Sequence, residues 1–92
     1  MCGIVGSINF RGTPADENLL KRMTDTLVHR GPDDAGFFRD PCVAFGFRRL
    51  SIIDLAGGHQ PIANETGSVQ VICNGEIYNY KELRVELERL GH

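Results

Sequence analysis

Glycine and proline cut this chain into short pieces. Breaks fall at Arg11-Gly12-Thr13-Pro14, Gly31-Pro32, Asp40-Pro41, Ala56-Gly57-Gly58-His59-Gln60-Pro61, Asn64-Glu65-Thr66-Gly67 and Asn74-Gly75. These residues favour turns because glycine accepts a positive φ and proline removes a backbone donor. Between the first two breaks, Leu19, Leu20, Met23 and Leu27 recur at helical spacing, so one apolar stripe runs to about Val28. Thr13 is placed to cap that helix, with Pro14 at its first position and Asp16 completing a variant capping box. Gly31-Pro32 stops it.

Most of the remaining pieces read as strands. Cys2 to Phe10 alternates, with Cys2, Ile4, Gly6, Ile8 and Phe10 on one side and Gly3, Val5, Ser7 and Asn9 on the other. That pattern predicts a strand with one buried face. Phe37-Phe38 and Cys42–Phe47 are further β-type runs around an Asp40-Pro41 turn, followed by the short apolar stretch Leu50–Ile53 and by Val69–Cys73. At the end, Asn79 and Glu82 form a second capping-box pattern, and Tyr80, Leu83, Leu87 and Leu90 line a helix face up to Gly91.

Length and charge exclude several classes of function. A chain of 92 residues is one domain or part of one and buries only roughly 60–65% of its unfolded surface. Ten basic against twelve acidic residues, net charge −2, argues against a nucleic-acid binder that relies on bulk charge. No apolar run approaches the ~20 residues of a membrane span, and the first basic residue, Arg11, follows the apolar start instead of preceding it, unlike a signal peptide. Cys2, Cys42 and Cys73 show neither a disulfide framework nor metal spacing with His29, His59 or His92. They read as reduced thiols of a cytoplasmic protein, with no metal site. A chain that ends one residue after a helix cap, with β segments still to be packed, reads as the front part of a longer protein.

Four clusters could carry chemistry. Cys2 would present a thiol and a free α-amine on one residue once Met1 is cleaved, and an α-amine of pKa about 7.7–8.0 can accept the thiol proton. The competing reading is a small buried hydrophobe. Asn74-Gly75 offers a side-chain amide and an unhindered N–H that could hold an oxyanion, worth about 3–4 kcal/mol per donor, with Glu76 beside them to meet an ammonium. Asn-Gly is equally a common hairpin turn. In Arg48-Arg49, before Leu50-Ser51-Ile52-Ile53, a guanidinium could clamp a carboxylate or simply be solvated. His29-Arg30-Gly31-Pro32-Asp33 reads as a helix end with charges that suit the dipole.

Taken in order, Met1-Cys2-Gly3-Ile4-Val5-Gly6, His29-Arg30-Gly31-Pro32-Asp33-Asp34, Arg49 to Leu55 with Gln60-Pro61, and Asn74-Gly75-Glu76-Ile77-Tyr78-Asn79 resemble one family across essentially the whole chain. The sequence is similar to the glutaminase domain of class II glutamine amidotransferases, most closely the glutamine-hydrolysing asparagine synthetases. The resemblance implies an α+β fold, the αββα sandwich of N-terminal-nucleophile hydrolases, with residues 1–92 its front half. By motif position, Cys2 would be the nucleophile, Asn74 and Gly75 the oxyanion hole, Arg49 the grip on the substrate α-carboxylate, and Glu76 a contact near its α-amine. The segment Arg49, Leu50, Ser51, Ile52 and Ile53 would bind L-glutamine. The implied reaction delivers ammonia to a synthetase domain that converts aspartate to asparagine with ATP and Mg²⁺; neither cofactor is expected in this chain. A sugar or cell-surface polymer as acceptor, an inactive fragment or interaction module, and a homodimer stay open as alternatives. Two departures stand out: Phe47 occupies a position where family members often carry histidine, and the aspartate of a Ser-Asp motif that would bind the glutamine amine falls after His92.

Overall fold

The computed structural model describes residues 1–52 and 57–92. Its main sheet has three antiparallel strands, β1 (Gly3–Ile8), β2 (Asp34–Asp40) and β3 (Val43–Arg49), in the order β1-β3-β2. Helix α1 (Glu17–Asp25) connects β1 to β2. Two short strands, β4 (Ile62–Ala63) and β5 (Gln70–Val71), pair antiparallel as a second sheet, and α2 (Tyr80–Arg89) follows. Among the described residues the architecture is α+β, with antiparallel sheets and two helices.

Register decides which residues share a face. Gly3 pairs with Arg48, Val5 with Gly46 and Ser7 with Ala44, and this face lies against α1. Close approach there depends on two glycines. A Cβ at Gly3 would lie 2.9 Å from Leu27 Cδ1, and one at Gly46 would lie 2.8 Å from Val5 Cγ2 and nearer still to Thr24 Oγ1. Leu20, Ala44 and Ala15 form the buried apolar cluster with Val5 against it; burying a side chain such as Leu20 contributes roughly 2 kcal/mol. Thr24 is fully buried and donates its hydroxyl to Leu20 O at 2.8 Å, so its polar atom is satisfied inside the core.

Three local expectations are corrected: the span of the first helix, the strand after Arg49 and the side-chain cap of α2. The first helix begins at Glu17, not after Thr13, because Asn9 Nδ2 donates to the carbonyls of Thr13 (2.9 Å) and Pro14 (3.2 Å) and Ala15 N donates to Pro41 O (2.9 Å). These bonds hold Thr13-Pro14 outside the helix. Asp16 becomes the cap, accepting from Leu19 N at 3.1 Å. Helix α1 ends at Asp25, and the stripe continues only as turns. On β1, the helix-covered side is Gly3, Val5 and Ser7, while Ile4 and Ile8 are about half exposed on the other face. The short run after Arg49 forms no strand over Leu50, Ser51 and Ile52, and Ile53 lies outside the described residues. Asn79 precedes α2 as expected but makes no side-chain capping bond.

On the face of the main sheet away from α1, Phe47 is 2% exposed. Beside it, a Cβ at Gly36 would lie 2.7 Å from the Gln60 carbonyl carbon, so the loop before β4 rests directly on β2. The Asn64–Val69 turn bends the chain back through Gly67 at φ +74° and through Asn64 Oδ1, which accepts Val69 N at 3.1 Å. Strand β5 then leads toward Asn74.

Candidate active site

The end of β3, the start of β1 and the segment after β5 meet at one end of the main sheet. Cys2 precedes β1, and its Sγ accepts from Leu50 N at 3.4 Å. The Cys2 carbonyl accepts two side-chain bonds, from Arg30 Nε and from Asn74 Nδ2, both 3.1 Å. Residues 28 and 72 positions away thereby fix the backbone of the cysteine. Cys2, Arg49, Leu50, Ile52, Asn74, Gly75 and Glu76 all line one open cleft of about 310 Å³. A second cleft, between α1 and β2, is lined by Leu20, Phe37, Phe38 and the Arg39–Glu17 pair and holds none of the predicted site residues.

Two expected residues stand apart. The Ser51 N–H donates to Asp33 Oδ2 at 2.7 Å, so this residue ties the end of β3 to the Gly31-Pro32-Asp33 turn instead of facing the cleft. Ile53 lies outside the described residues.

Arg49 is 7% exposed, unusual for a guanidinium. Burial follows from its partner surface: a Cβ at Gly58 would lie 2.5 Å from Arg49 Cζ and closer to one Nη, so the head packs onto a bare Cα. Asp34 lies near it and bonds His59 Nδ1 at 2.6 Å. The His59 hydrogen bond holds the Asp34 carboxyl below its ordinary value of 3.8, opposed by desolvation and helped by the Ala35 N–H and by the charges of His59 and Arg49.

Two residues that brace the cleft-lining backbone escaped the reading of the residues themselves. Arg30 looked like a helix-end charge but reaches back to the Cys2 carbonyl. Gln60 figured only within the family motif, yet its side-chain amide bonds both backbone groups of Cys73: Oε1 accepts Cys73 N at 2.7 Å and Nε2 donates to Cys73 O at 3.1 Å. None of these three bonds leaves a periodic trace in the sequence.

Residues 1–92 match the glutamine amidotransferase domain family. The chain belongs to that family. Its sequence is 53% identical over 95 residues to asparagine synthetase (glutamine-hydrolyzing) 1 of Bacillus subtilis strain 168, covering all of this chain and 15% of that protein. It is 51% identical over 90 residues to asparagine synthetase (glutamine-hydrolyzing) 2 of the same organism, covering 95% and 12%. It is 40% identical over 88 residues to asparagine synthetase (glutamine-hydrolyzing) 1 of Lotus japonicus, covering 95% and 15%. The amidotransferase domain sequence described here therefore spans about 15% of the length of such relatives. Among the described residues no helix is long and apolar enough to cross a membrane.

Proposed function

We propose that this chain is the front of a glutaminase domain that releases ammonia from L-glutamine with Cys2 as nucleophile. The supporting observation is convergence: a thiol, a buried guanidinium, an amide beside a glycine N–H, and a carboxylate line one cleft although they come from positions 2, 49 and 74–76. The domain is read as residues 1–92 of an αββα N-terminal-nucleophile sandwich, with β4 and β5 beginning its second sheet.

The chemistry follows from the arrangement. Removal of Met1 makes the Cys2 α-amine the local proton acceptor. Arg49 holds the glutamine α-carboxylate, and its nearly complete burial strengthens that attraction by excluding water. Glu76 faces the α-ammonium. Sγ attacks the side-chain amide carbon, the carbonyl oxygen becomes an oxyanion, and Asn74 Nδ2 and Gly75 N–H donate to it. The C–N bond breaks with a proton delivered to nitrogen, ammonia leaves, and water resolves the glutamyl thioester to glutamate and free thiol. The bond from Asn74 Nδ2 to the Cys2 carbonyl, 3.1 Å, supports this pairing of donor and nucleophile.

Ammonia would pass to a synthetase domain, supplied by the longer protein, that makes asparagine from aspartate in the cytoplasm. ATP and Mg²⁺ would belong to that domain, and no step here runs through them. The test uses the full-length protein and a glutamine-like diazoketone. The expected result is a single adduct on an N-terminal Cys2, lost together with ammonia release in Cys2→Ala. Labelling and turnover that survive Cys2→Ala would refute the reading.

A further inference from the structure

The segment carrying Asn74 and Gly75 has little sheet to hold it. Strands β4 and β5 pair only over Ile62–Val71 and Ala63–Gln70, and Cys73, Asn74 and Gly75 are exposed beyond them. One side chain takes the place of a neighbouring strand. The Gln60 amide accepts the Cys73 N–H at 2.7 Å and donates to the Cys73 carbonyl at 3.1 Å, meeting both backbone groups of the residue immediately before Asn74. An aliphatic side chain could do neither, and a carboxylate could do only the first.

Gln60 can serve as a fixed reference because its own backbone is seated. Its carbonyl carbon would be 2.7 Å from a Cβ at Gly36, so β2 approaches it where a side chain would intrude. Gln60 also lines the cleft that contains Cys2. The chain of support therefore runs from β2 through Gln60 to Cys73, and from there to the two donors. Arg49 reaches the cleft from β3 by another route.

We propose that Gln60 is a positioning residue for the oxyanion hole, setting Asn74 and Gly75 at their working distance from Cys2 without touching substrate. This rests on the glutaminase reading above. It predicts a division of effects, because substrate is held by Arg49 while the developing charge is met by the segment that Gln60 holds.

The experiment compares the full-length wild-type protein with Gln60→Glu and Gln60→Ala. Gln60→Glu is nearly isosteric, so it preserves volume and one of the two bonds but sets an acceptor against the Cys73 carbonyl. Ammonia release should fall about 10- to 100-fold in kcat while KM for glutamine stays within about threefold. The inhibition constant of glutamate γ-semialdehyde, whose thiohemiacetal with Cys2 places an oxyanion in the hole, should rise by the same factor as kcat falls. Hydrogen exchange at the Cys73 amide should accelerate by about tenfold or more in Gln60→Ala, which removes its acceptor. A kcat within about twofold of wild type, a rise confined to KM, or an inhibition constant that does not follow kcat would overturn the proposal. Wild-type protein that releases no ammonia through Cys2 would instead refute the glutaminase reading. In that event unchanged exchange at Cys73 would further remove Gln60 as the anchor of the segment.

Discussion

Gly58→Ala offers a sharp test of how Arg49 is placed. The backbone accepts the change, because Gly58 is not among the glycines at positive φ, which are Gly12, Gly67 and Gly91. The space does not: the new Cβ would stand 2.5 Å from Arg49 Cζ and 3.0 Å from Nε, against ordinary contact at 3.4–4 Å. The obstructing atoms are the far end of one side chain, so the fold yields cheaply and the guanidinium moves by up to roughly an ångström. A bidentate grip on a carboxylate tolerates no such shift, and a lost charge-assisted bond is worth about 1.5–3 kcal/mol, which converts to a rise of about 10- to 150-fold in KM for glutamine. Steady-state ammonia release by the full-length protein should show that rise with kcat changed less than about threefold. The decisive comparison uses 4-aminobutanamide, which keeps the amide and amine but lacks the α-carboxylate: its kcat/KM should be the same in Gly58→Ala and wild type. An equal loss on both substrates would refute the argument, since the damage would then lie outside the carboxylate contact.

Two further outcomes follow from packing and from charge. Gly31→Ala should destabilise by about 3 kcal/mol or more, because its Cβ would meet backbone 2.5 Å away at Arg49 N and 2.6 Å away at Arg48 O, neither of which can rotate aside; a denaturant titration showing less than about 1 kcal/mol would contradict this. Asp34 has a folded-state pKa below its ordinary 3.8, so its contribution to stability is present above that value and is lost as pH falls through the lower folded value. Acid unfolding of wild type and Asp34→Asn should accordingly differ near neutrality and converge once acid has protonated the Asp34 carboxyl in the folded protein; curves that stay parallel throughout would show that the His59–Asp34 pair does not stabilise the fold.

How much of this was legible beforehand depends on the range of the interaction. The β2–β3 hairpin around Asp40-Pro41 and the α2 stripe of Tyr80, Leu83 and Leu87 follow from local chemistry and appear where expected. The start of α1 does not. Thr13 is a sound cap by type, but a side chain four residues earlier, Asn9, captures the carbonyls that would have entered the helix. Alternation in β1 likewise shows two faces without saying which of them α1 covers. Gly3 and Gly46 settle that, because the helix can approach closely only where Cβ atoms are missing.

The order of motifs by itself determined the family, the cysteine at position 2 and the Asn74-Gly75-Glu76 cluster, since these are properties of residue type and spacing along the chain. Only the folded chain decided that Arg49 is buried against Gly58, that Ser51 turns to Asp33, and that Arg30 and Asn74 both reach the Cys2 carbonyl. The same holds for the Gln60 bonds to Cys73. Periodicity encodes which side of an element is apolar, whereas a hydrogen bond from one loop to the backbone of another depends on where both loops are carried by the sheet between them.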